Sequence, residues 1–576
     1  MTVAVPLGAA NGAAPRTGGT LRLYGPGDVG QLDPAVASDP PAVSLVRLFS
    51  RQLVTYEPRA DLRDWQAIAP VPDAALQVPS TYNAGLGASH RSYIVHLRPR
   101  VMWDTDPPRP VTTHDFVRGF KRLGNPVART AALTYFTSTI RGMADFCAGY
   151  AAAVPATATA EELAAYQREH EIPGVFALDD ETLVIELLRP APEFVNVLAL
   201  TCASAAPAEY DAFVPGSAEL RANLRSNGPY RIAAGGPGLR LERNPAWQRD
   251  SDPVRSANVD AVVVTREAGA ADLPWASPLR APRSRPSGST VPGSTVPGST
   301  VPGSTVPGST VPEADVSWSL DPYLVFNVAD GAVAVCDVGV RRALSAAIDR
   351  GALAERCAHL GGGAVRPAGR IVPPGNDPQA GDEPTDAGAD RDRARSLLAD
   401  AGHADGLTLT AVCRDDPAEL DVARAYAADL DQAGVRVRVV ALDDETYRHS
   451  VLRPPGGSPR GWDLTARSWS ADWLYRNGRS LLQPLFETGA SANYGGYSNA
   501  AVDELIARAL DAAVEPQARL DAAWGAVERR VLDDAAVVPL LFRAPALPPR
   551  RGRRVRGAAV LPGLGYVDDL SALWLD

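Results

Sequence analysis

Alternating apolar and polar positions mark the first regular elements of the chain. Residues 93–98 read Tyr-Ile-Val-His-Leu-Arg, and this period of two predicts a half-buried strand. Residues 111–117 place a threonine just before apolar positions, so a helix with a threonine N-cap is expected there. A turn followed by an apolar run over residues 177–187 predicts another strand. The first half of the chain therefore mixes strands and helices.

The second half shows a more regular order. Residues 323–327 form a short apolar run typical of a strand, and residues 340–350 carry apolar side chains three and four positions apart, which predicts a helix. Strands are then expected at 407–412 and 435–442, with a helix over 422–430 between them. A strand, helix and strand in this order form a βαβ unit, so we expect parallel sheet in this part of the protein.

The length of the chain bears on its division into domains. With 576 residues the protein is too long for one hydrophobic core, so at least two domains are expected. Residues 288–312 repeat Gly-Ser-Thr-Val-Pro five times. Proline at every fifth position prevents helix and sheet from propagating, which predicts a disordered surface insertion. A role as an elastic linker or a tether for a partner is the alternative for this repeat.

Composition and motifs exclude several classes of function. The net charge of -10 argues against a nucleic-acid partner. The five cysteines include no C-x-x-C pair, and the seven histidines have no ligand spacing, so we expect no metal site. G-x-S-x-G, H-E-x-x-H and Walker A motifs are absent, and we therefore predict no catalytic residues and no cofactor.

Three segments near the C-terminal end carry the most specific signal. They are Gly461-Trp462-Asp463-Leu464, Trp469-Ser470-Ala471-Asp472-Trp473 and the run Asn493-Tyr494-Gly495-Gly496-Tyr497-Ser498-Asn499. Together they resemble the ligand-cleft segment of the bacterial extracellular solute-binding proteins of ABC transporters, family 5, the oligopeptide and dipeptide class. Further likenesses, such as the Asn-Gly-Pro-Tyr sequence at residues 227–230, extend the resemblance over almost the whole chain.

The resemblance implies a fold and a domain division. We expect an α/β protein with the two-lobed periplasmic-binding-protein-like fold, class II, of the large peptide-binding type with an extra subdomain and a hinged cleft. Lobe one is expected to comprise residues 18–270 and 531–576, with the subdomain at about 55–185 and a return strand near 537–542. Lobe two is expected at 271–530, including the disordered repeat at 288–312. Residues 1–17 are expected to be a disordered N-terminus.

The resemblance also assigns candidate ligand-binding residues. In the family the aspartate of the W-x-A-D-[YW] segment meets the α-ammonium group of a bound peptide, and here that residue is Asp472. The other candidates are aromatic or polar side chains expected near the cleft: Trp469, Trp473, Asn493, Tyr494 and Trp318. Packing beneath the cleft is the alternative for the two tryptophans beside Asp472, and shaping of the loop is the alternative for Asn493 and Tyr494.

One nearby arginine is not assigned a role by the resemblance. Some oligopeptide binders use an arginine for the ligand carboxylate, but it lies one position earlier, where this chain has Ala466 rather than Arg467. In a strand an offset of one residue reverses the face on which the side chain lies. We therefore do not transfer that role to Arg467.

The function that the resemblance implies is capture of short peptides by the solute-binding component of an ABC importer. The partners would be a peptide or another small solute and the permease and ATPase subunits, and a monomer is expected. Nickel complexes and sugars are alternative ligands. No export leader is visible in residues 1–17, so we expect an extracytoplasmic location only if a leader is missing, and otherwise a cytoplasmic protein. The second hypothesis is a cytosolic member of the same fold that binds or transforms a biosynthetic intermediate.

Overall fold

The structure of the protein is a computed structural model. It describes residues 14–24, 31–59, 68–155, 157–233, 238–265, 273–274, 316–329, 334–358, 360, 363–376, 388–452, 461–474, 478–545 and 554–576. The predicted disordered repeat at 288–312 and residues 1–13 of the predicted disordered N-terminus lie outside these described residues.

The strands in chain order are β1 (Thr20–Tyr24), β2 (Val54–Thr55), β3 (Val71–Pro72), β4 (Ser92–His96), β5 (Met102–Trp103), β6 (Arg109–Pro110), β7 (Val175–Ala177), β8 (Thr182–Glu186), β9 (Tyr230–Ile232), β10 (Leu239–Arg243), β11 (Ala261–Thr265), β12 (Leu273–Pro274), β13 (Ser319–Phe326), β14 (Val365–Pro367), β15 (Leu407–Arg414), β16 (Val435–Leu442), β17 (Leu464–Trp469), β18 (Val537–Pro539), β19 (Leu541–Arg543), β20 (Val555–Arg556), β21 (Val560–Leu561), β22 (Val567–Asp568) and β23 (Trp574–Leu575).

The α-helices are α1 (Pro40–Phe49), α2 (Thr113–Leu123), α3 (Leu133–Thr137), α4 (Met143–Ala153), α5 (Ala160–Glu169), α6 (Phe194–Val197), α7 (Ala218–Ala222), α8 (Val338–Ala347), α9 (Arg350–Cys357), α10 (Arg391–Asp400), α11 (Pro417–Gln432), α12 (Asp444–Ser450), α13 (Gly478–Phe486), α14 (Ala500–Asp511) and α15 (Gln517–Asp533).

Lobe one is built on a five-stranded sheet in the order β12-β1-β11-β10-β9. Strand β1 runs parallel to β11 and β12, and β10 is antiparallel to β11 and β9. Alternate side chains of β1, Leu21 and Leu23, are fully buried, as a half-buried strand requires. They share a core with Leu570 and Leu573, so the C-terminal end of the chain packs on this lobe.

The subdomain consists of the three-stranded antiparallel sheet β4-β8-β7 and helices α2 to α6. Tyr93 and Val95 of β4 are buried while Ile94 between them is exposed, which confirms the strand predicted from alternation. Helix α2 begins after Thr112, also as predicted. The carboxylate of Asp115 accepts a hydrogen bond of 3.0 Å from the Thr112 backbone N–H, which caps the first turn.

Lobe two is built on a seven-stranded sheet in the order β14-β19-β13-β17-β15-β16, with β18 also paired to β13. Strands β15 and β16 are parallel over their whole length and α11 connects them, so the predicted βαβ unit is confirmed. Successive side chains of β13 enter different cores. Tyr323 and Val325 lie in the core on one face, and Leu324 and Phe326 lie in the core on the other. Helices therefore cover this sheet on both sides, and the two lobes together confirm the predicted α/β class.

The return strand differs from the sequence-based expectation. Residues 537–543 were expected in lobe one, but β18 and β19 pair with β13 in the sheet of lobe two. An apolar run predicts a buried strand, but it does not reveal which of two sheets the strand joins. The chain returns to lobe one further on, where β22 packs near α1 and Leu570 enters that core. The other expected domain bounds stay a prediction.

The helix predicted over residues 340–350 is divided in two. Helix α8 ends at Ala347 and α9 begins at Arg350. The side chain of Asp349 accepts a hydrogen bond of 2.8 Å from the Ala352 backbone N–H. An aspartate in this extended conformation caps a new helix rather than continuing the old one, which explains the break.

Four fully buried charged residues of lobe one link segments that are far apart in the chain. Asp73 accepts hydrogen bonds from Arg51 at 2.7 Å and from Arg255 at 2.7 and 3.0 Å. Asp252 lies 3.3 Å from Arg255 and 4.0 Å from Arg51. Burial opposes the ionised form of Asp73, but the two arginines outweigh it and hold the pKa of this carboxyl below its ordinary value. Two arginines therefore neutralise two aspartates out of contact with water.

We expect Asp73→Asn to lower the free energy of unfolding of lobe one by about 3–5 kcal/mol, because it leaves two buried guanidinium groups with one carboxylate. Chemical denaturation followed by circular dichroism measures the change. Glu504→Gln is the matched control, since Glu504 and Arg508 form an exposed pair whose loss costs at most about 0.5 kcal/mol. A similar loss in the two variants would contradict the structural role of Asp73.

Candidate functional site

Asp472 lies in the loop after β17 of lobe two and is only partly exposed. Its carboxylate accepts a hydrogen bond of 2.5 Å from the hydroxyl of Tyr135. Tyr135 belongs to helix α3 of the subdomain and is fully buried. The carboxylate therefore sits where the subdomain meets lobe two, and residues more than 300 positions apart form this contact.

The charge on Asp472 is poorly compensated. Burial raises the pKa of this carboxyl to about 7, and the hydrogen bond from Tyr135 lowers it by less. Among the residues that the structure describes, no arginine, lysine or histidine lies within 4.0 Å of the Asp472 carboxylate. A carboxylate in this position gains a strong interaction from any cation that reaches it, because burial disfavours its charge and no described cation lies within 4.0 Å.

The two tryptophans beside Asp472 pack around Tyr135. The ring of Trp473 meets the ring of Tyr135 edge-on at 4.9 Å between centroids and is buried with the subdomain core. The indole N–H of Trp469 donates to the backbone carbonyl of Ser480 at 2.9 Å, and the Tyr135 hydroxyl lies 3.3 Å from the same carbonyl. These contacts fix the positions of the side chains around the Asp472 carboxylate. Direct ligand contact by either tryptophan stays a prediction.

Arg479 of helix α13 joins the two sides of the site. Its guanidinium lies 2.5 Å from the carboxylate of Glu193 and donates to the hydroxyls of Thr139 and Ser138 at 2.6 and 3.2 Å. It also lies over the ring of Tyr135, with 5.7 Å between the guanidinium carbon and the ring centroid. Arg479 is thus a buried, fully paired charge that fastens lobe two to the subdomain beside Asp472.

Asn493 and Tyr494 follow helix α13 and differ in what they contact. The amide of Asn493 donates to the carbonyls of Glu487 and Tyr497 and accepts from the Tyr497 N–H, so it shapes its own loop. The ring of Tyr494 lies 5.1 Å from the guanidinium carbon of Arg467. Burial raises the pKa of the Tyr494 hydroxyl, the charge of Arg467 lowers it, and Asp39 and Asp472 raise it. Tyr494 is therefore close to charged groups of both lobes.

Trp318 lies just before β13, in the same hydrophobic core as Tyr494, against which Trp469 also packs. It is 4% exposed, its backbone N–H donates to the carbonyl of Pro374, and the guanidinium of Arg366 lies 5.1 Å from its ring. These two neighbours, Pro374 and Arg366, belong to lobe two. The predicted ligand contact of Trp318 stays a prediction without a supporting contact.

Sequence reasoning missed Tyr135 and Arg479. Tyr135 stands in an apolar run, and Arg479 begins a helix with no motif around it. Their importance comes from contacts with residues more than 280 positions away. In the described ranges, no three histidine, cysteine, aspartate or glutamate side chains are grouped as a metal site would require. Within the same ranges, no helix has the length and the apolar content to cross a lipid bilayer.

A comparison against protein families identifies the family of the chain. The model of the bacterial extracellular solute-binding proteins, family 5, matches residues 87–275 and 304–493, which together exceed half of the chain. The chain belongs to this family. The members of family 5 are binding proteins, and the family is extracytoplasmic in bacteria.

Individual relatives cover most of the chain. The periplasmic oligopeptide-binding protein OppA of Salmonella typhimurium is 25% identical over 458 residues, which span 78% of this chain and 76% of OppA. The periplasmic murein peptide-binding protein MppA of Escherichia coli is 26% identical over 524 residues, which span 88% of this chain and 85% of MppA. Among solved structures, clavulanic acid biosynthesis oligopeptide binding protein 2 has a TM-score of 0.67 and 24% identity over 97% of this chain and 96% of its own. At this identity the last likeness supports the fold alone.

We expect Tyr135→Phe to raise the pKa of Asp472 further, because the variant removes the hydrogen bond that stabilises the ionised carboxylate. A titration of ¹³C-labelled aspartate carboxyls by NMR, assigned with Asp472→Asn, measures the change. Tyr150→Phe is the control, since its hydroxyl donates to the Leu163 carbonyl within the subdomain. A wild-type midpoint near 4, the ordinary value of an aspartate, would contradict this description of the site.

Proposed function

We propose that this protein is the solute-binding component of an ABC importer and captures short peptides at the junction of its two lobes. The observation that carries the proposal is the partly buried carboxylate of Asp472, which has a hydroxyl partner but no cationic one among the described residues. Family membership and peptide-binding relatives support the same ligand class.

The free α-ammonium group of a peptide fits this position chemically. An ammonium carries three donors and a positive charge, and it gains a charge-assisted hydrogen bond from a carboxylate that lacks another cation. The Tyr135 hydroxyl holds the Asp472 carboxylate in place at 2.5 Å. A peptide would therefore supply the counter-charge that Asp472 lacks among the described residues.

The same geometry couples binding to closure of the lobes. Asp472 belongs to lobe two, whereas Tyr135 belongs to the subdomain of lobe one. A ligand that touches both sides binds the closed arrangement more tightly than an open one, so it shifts the population toward the closed state. The closed form is then the one that a membrane permease would recognise.

Binding of the rest of the peptide is proposed to rely on its main chain. An extended peptide forms backbone hydrogen bonds that do not depend on side-chain identity, as an added strand does. Aromatic side chains near the site, such as Trp469 and Tyr494, provide contact area with little selectivity. We therefore propose a broad preference for short peptides with a free amine.

The remaining parts of the proposal follow from the family. We propose a monomer that works outside the cytoplasmic membrane with permease and ATPase subunits as partners. The alternative derived from the sequence is a repurposed member that binds or transforms a biosynthetic intermediate. A peptide screen separates the two, because the alternative predicts no general response to unrelated short peptides.

Isothermal titration calorimetry with di- to pentapeptides tests peptide capture. We expect Asp472→Asn to weaken binding at least tenfold, about 1.4 kcal/mol, because the ammonium loses its counter-charge. Acetylation of the peptide amine should cause a similar loss in the wild type and little further loss in the variant. Asp400→Asn, which removes an exposed charge at the end of α10, is the matched control. Equal affinities of free and acetylated peptides would reject the assignment.

The pH dependence of affinity is a separate test. In the free protein the pKa of Asp472 is about 7, and a bound ammonium lowers it by favouring the ionised form. We therefore expect affinity to be highest above about pH 7 and to fall by up to about tenfold per pH unit below it. Loss of the peptide's own charge limits affinity above about pH 8. Asp472→Asn should abolish the decline on the acid side, and an unchanged profile in that variant would contradict the account.

A further inference from the structure

One arginine of lobe two directs most of its hydrogen bonds into the subdomain. Arg479 lies in helix α13, and its Nε donates to the side chain of Gln483 in the same helix at 2.9 Å. Its other four acceptors belong to the subdomain and are the carboxylate of Glu193 at 2.5 Å, the hydroxyls of Thr139 at 2.6 Å and Ser138 at 3.2 Å, and the backbone carbonyl of Tyr135 at 3.4 Å. The guanidinium therefore bridges the boundary between lobe two and the subdomain.

The same groups enclose the guanidinium. The side chain of Arg479 is only 4% exposed, and each of its three nitrogens donates to a protein acceptor. A guanidinium carries its N–H donors in a fixed planar fork, so the acceptors around it must be placed to match that fork. Separation of the lobes would break every bond to the subdomain at once. The bonds of Arg479 thus depend on the relative placement of the two sides.

Other polar contacts follow the same boundary. The hydroxyl of Ser491 donates to the carbonyl of Ala131 at 2.6 Å, which joins the loop after α13 to the subdomain. Arg189 of the subdomain lies 3.0 Å from Asp511 of α14. Because Asp511 is exposed, water competes with this ion pair and its contribution is small. Of the two arginines at the boundary, Arg479 is the one whose bonds are protected from water.

An apolar contact lies beside these bonds. Trp473 belongs to lobe two, yet it is buried with the core of the subdomain, and its ring meets that of Tyr135 at 4.9 Å between centroids. Burial of apolar surface is not directional and does not fix how the two surfaces are oriented. The planar guanidinium of Arg479 supplies that direction, because its acceptors lie on both sides of the boundary.

Arg479 and Asp472 have opposite surroundings. Arg479 is paired with the carboxylate of Glu193, whereas Asp472 has the hydroxyl of Tyr135 and, in the described part of the chain, no cation within 4.0 Å. A group whose donors already have protein acceptors gains a ligand contact only by losing one of those bonds. The geometry of Arg479 therefore suits closure of the lobes rather than recognition of a ligand.

We propose that Arg479 is an interlobe latch, a positioning residue that stabilises the closed arrangement of the lobes without touching the ligand. This inference rests on the proposed function and adds to it a residue that sets how tightly every peptide is held. If a peptide binds the closed arrangement, its apparent affinity rises with the population of that arrangement. A latch changes the affinity for all peptides by one common factor, whereas a ligand contact changes the ratio between peptides.

Calorimetry of Arg479→Gln with one peptide in its free and its N-acetylated form tests the proposal. We expect the affinity for both forms to fall by the same factor, about five- to tenfold, because a smaller fraction of the protein is closed. The ratio of the two affinities should remain that of the wild type. Arg508→Gln on α14 is the matched control, since Arg508 is exposed and pairs with Glu504 of its own helix.

A spectroscopic measurement without ligand separates closure from binding. In protein that contains 5-fluorotryptophan, the ¹⁹F resonance of Trp473, assigned with Trp473→Phe, reports whether this ring packs on Tyr135 or is exposed to water. We expect Arg479→Gln to move the resonance toward its position in the unfolded protein. The wild type and Arg508→Gln should share the position of the enclosed ring.

Removal of the anionic partner provides a second variant. Glu193→Gln should change the affinities and the ¹⁹F resonance in the same direction, and it should add little to Arg479→Gln, because both variants remove the same ion pair. Melting temperatures of the ligand-free variants establish that each one is folded. If Arg479→Gln does not fold, Glu193→Gln, whose carboxylate is partly exposed, takes its place in both measurements.

Three results would overturn the proposal. They are an unchanged Trp473 resonance, unchanged affinities, and a changed ratio of free to acetylated peptide, which would place the arginine in the ligand site. Failure of every peptide to bind the wild type would instead reject peptide capture. The ¹⁹F measurement would still decide whether Arg479 holds the lobes together, since it requires no ligand.

Discussion

Within the described ranges Asp472 has no cationic partner within 4.0 Å, and the proposed properties of the site follow from this constraint. A partly buried carboxylate that accepts one hydrogen bond, of 2.5 Å from a hydroxyl, is less readily ionised than an exposed one, and burial raises its pKa to about 7. A ligand cation corrects this deficit, whereas water and the described side chains do not. Under the proposed function, selection of an amine, dependence on pH and preference for the closed state would all follow from this one charge.

The pairing of buried charges differs between the core of lobe one and the surroundings of Asp472. Within lobe one, Asp73 and Arg255 are fully buried and paired with each other, and they link segments that are far apart in the chain. Near the junction of the lobes Arg479 is likewise paired with Glu193, whereas the carboxylate of Asp472 has the Tyr135 hydroxyl as its neighbour and, in the described part of the chain, no cation within 4.0 Å. Removing one partner of a buried charge pair destabilises a fold, and under the proposed function the ligand brings the counter-charge of Asp472.

The sequence predicted individual strands and helices and the segment around Asp472 better than the contacts between distant parts of the chain. The parallel unit of β15, α11 and β16 and the capped start of α2 follow from short-range patterns, and the structure confirms them. The likeness around Asp472 identified a residue at the contact between lobe two and the subdomain, and its ligand role stays a prediction. Tyr135, Arg479 and the sheet joined by residues 537–543 depend on partners far away in the chain, and no local period encodes such pairings.

Proton release on binding tests the central claim most directly. Calorimetry of one peptide at pH 6 in buffers of different ionisation enthalpy gives the number of protons exchanged. If Asp472 has a pKa of about 7 in the free protein and becomes ionised against the bound ammonium, close to one proton should leave per peptide, and Asp472→Asn should abolish the release. Binding without proton exchange in the wild type would show that no protonated carboxyl awaits the ligand and would contradict the account.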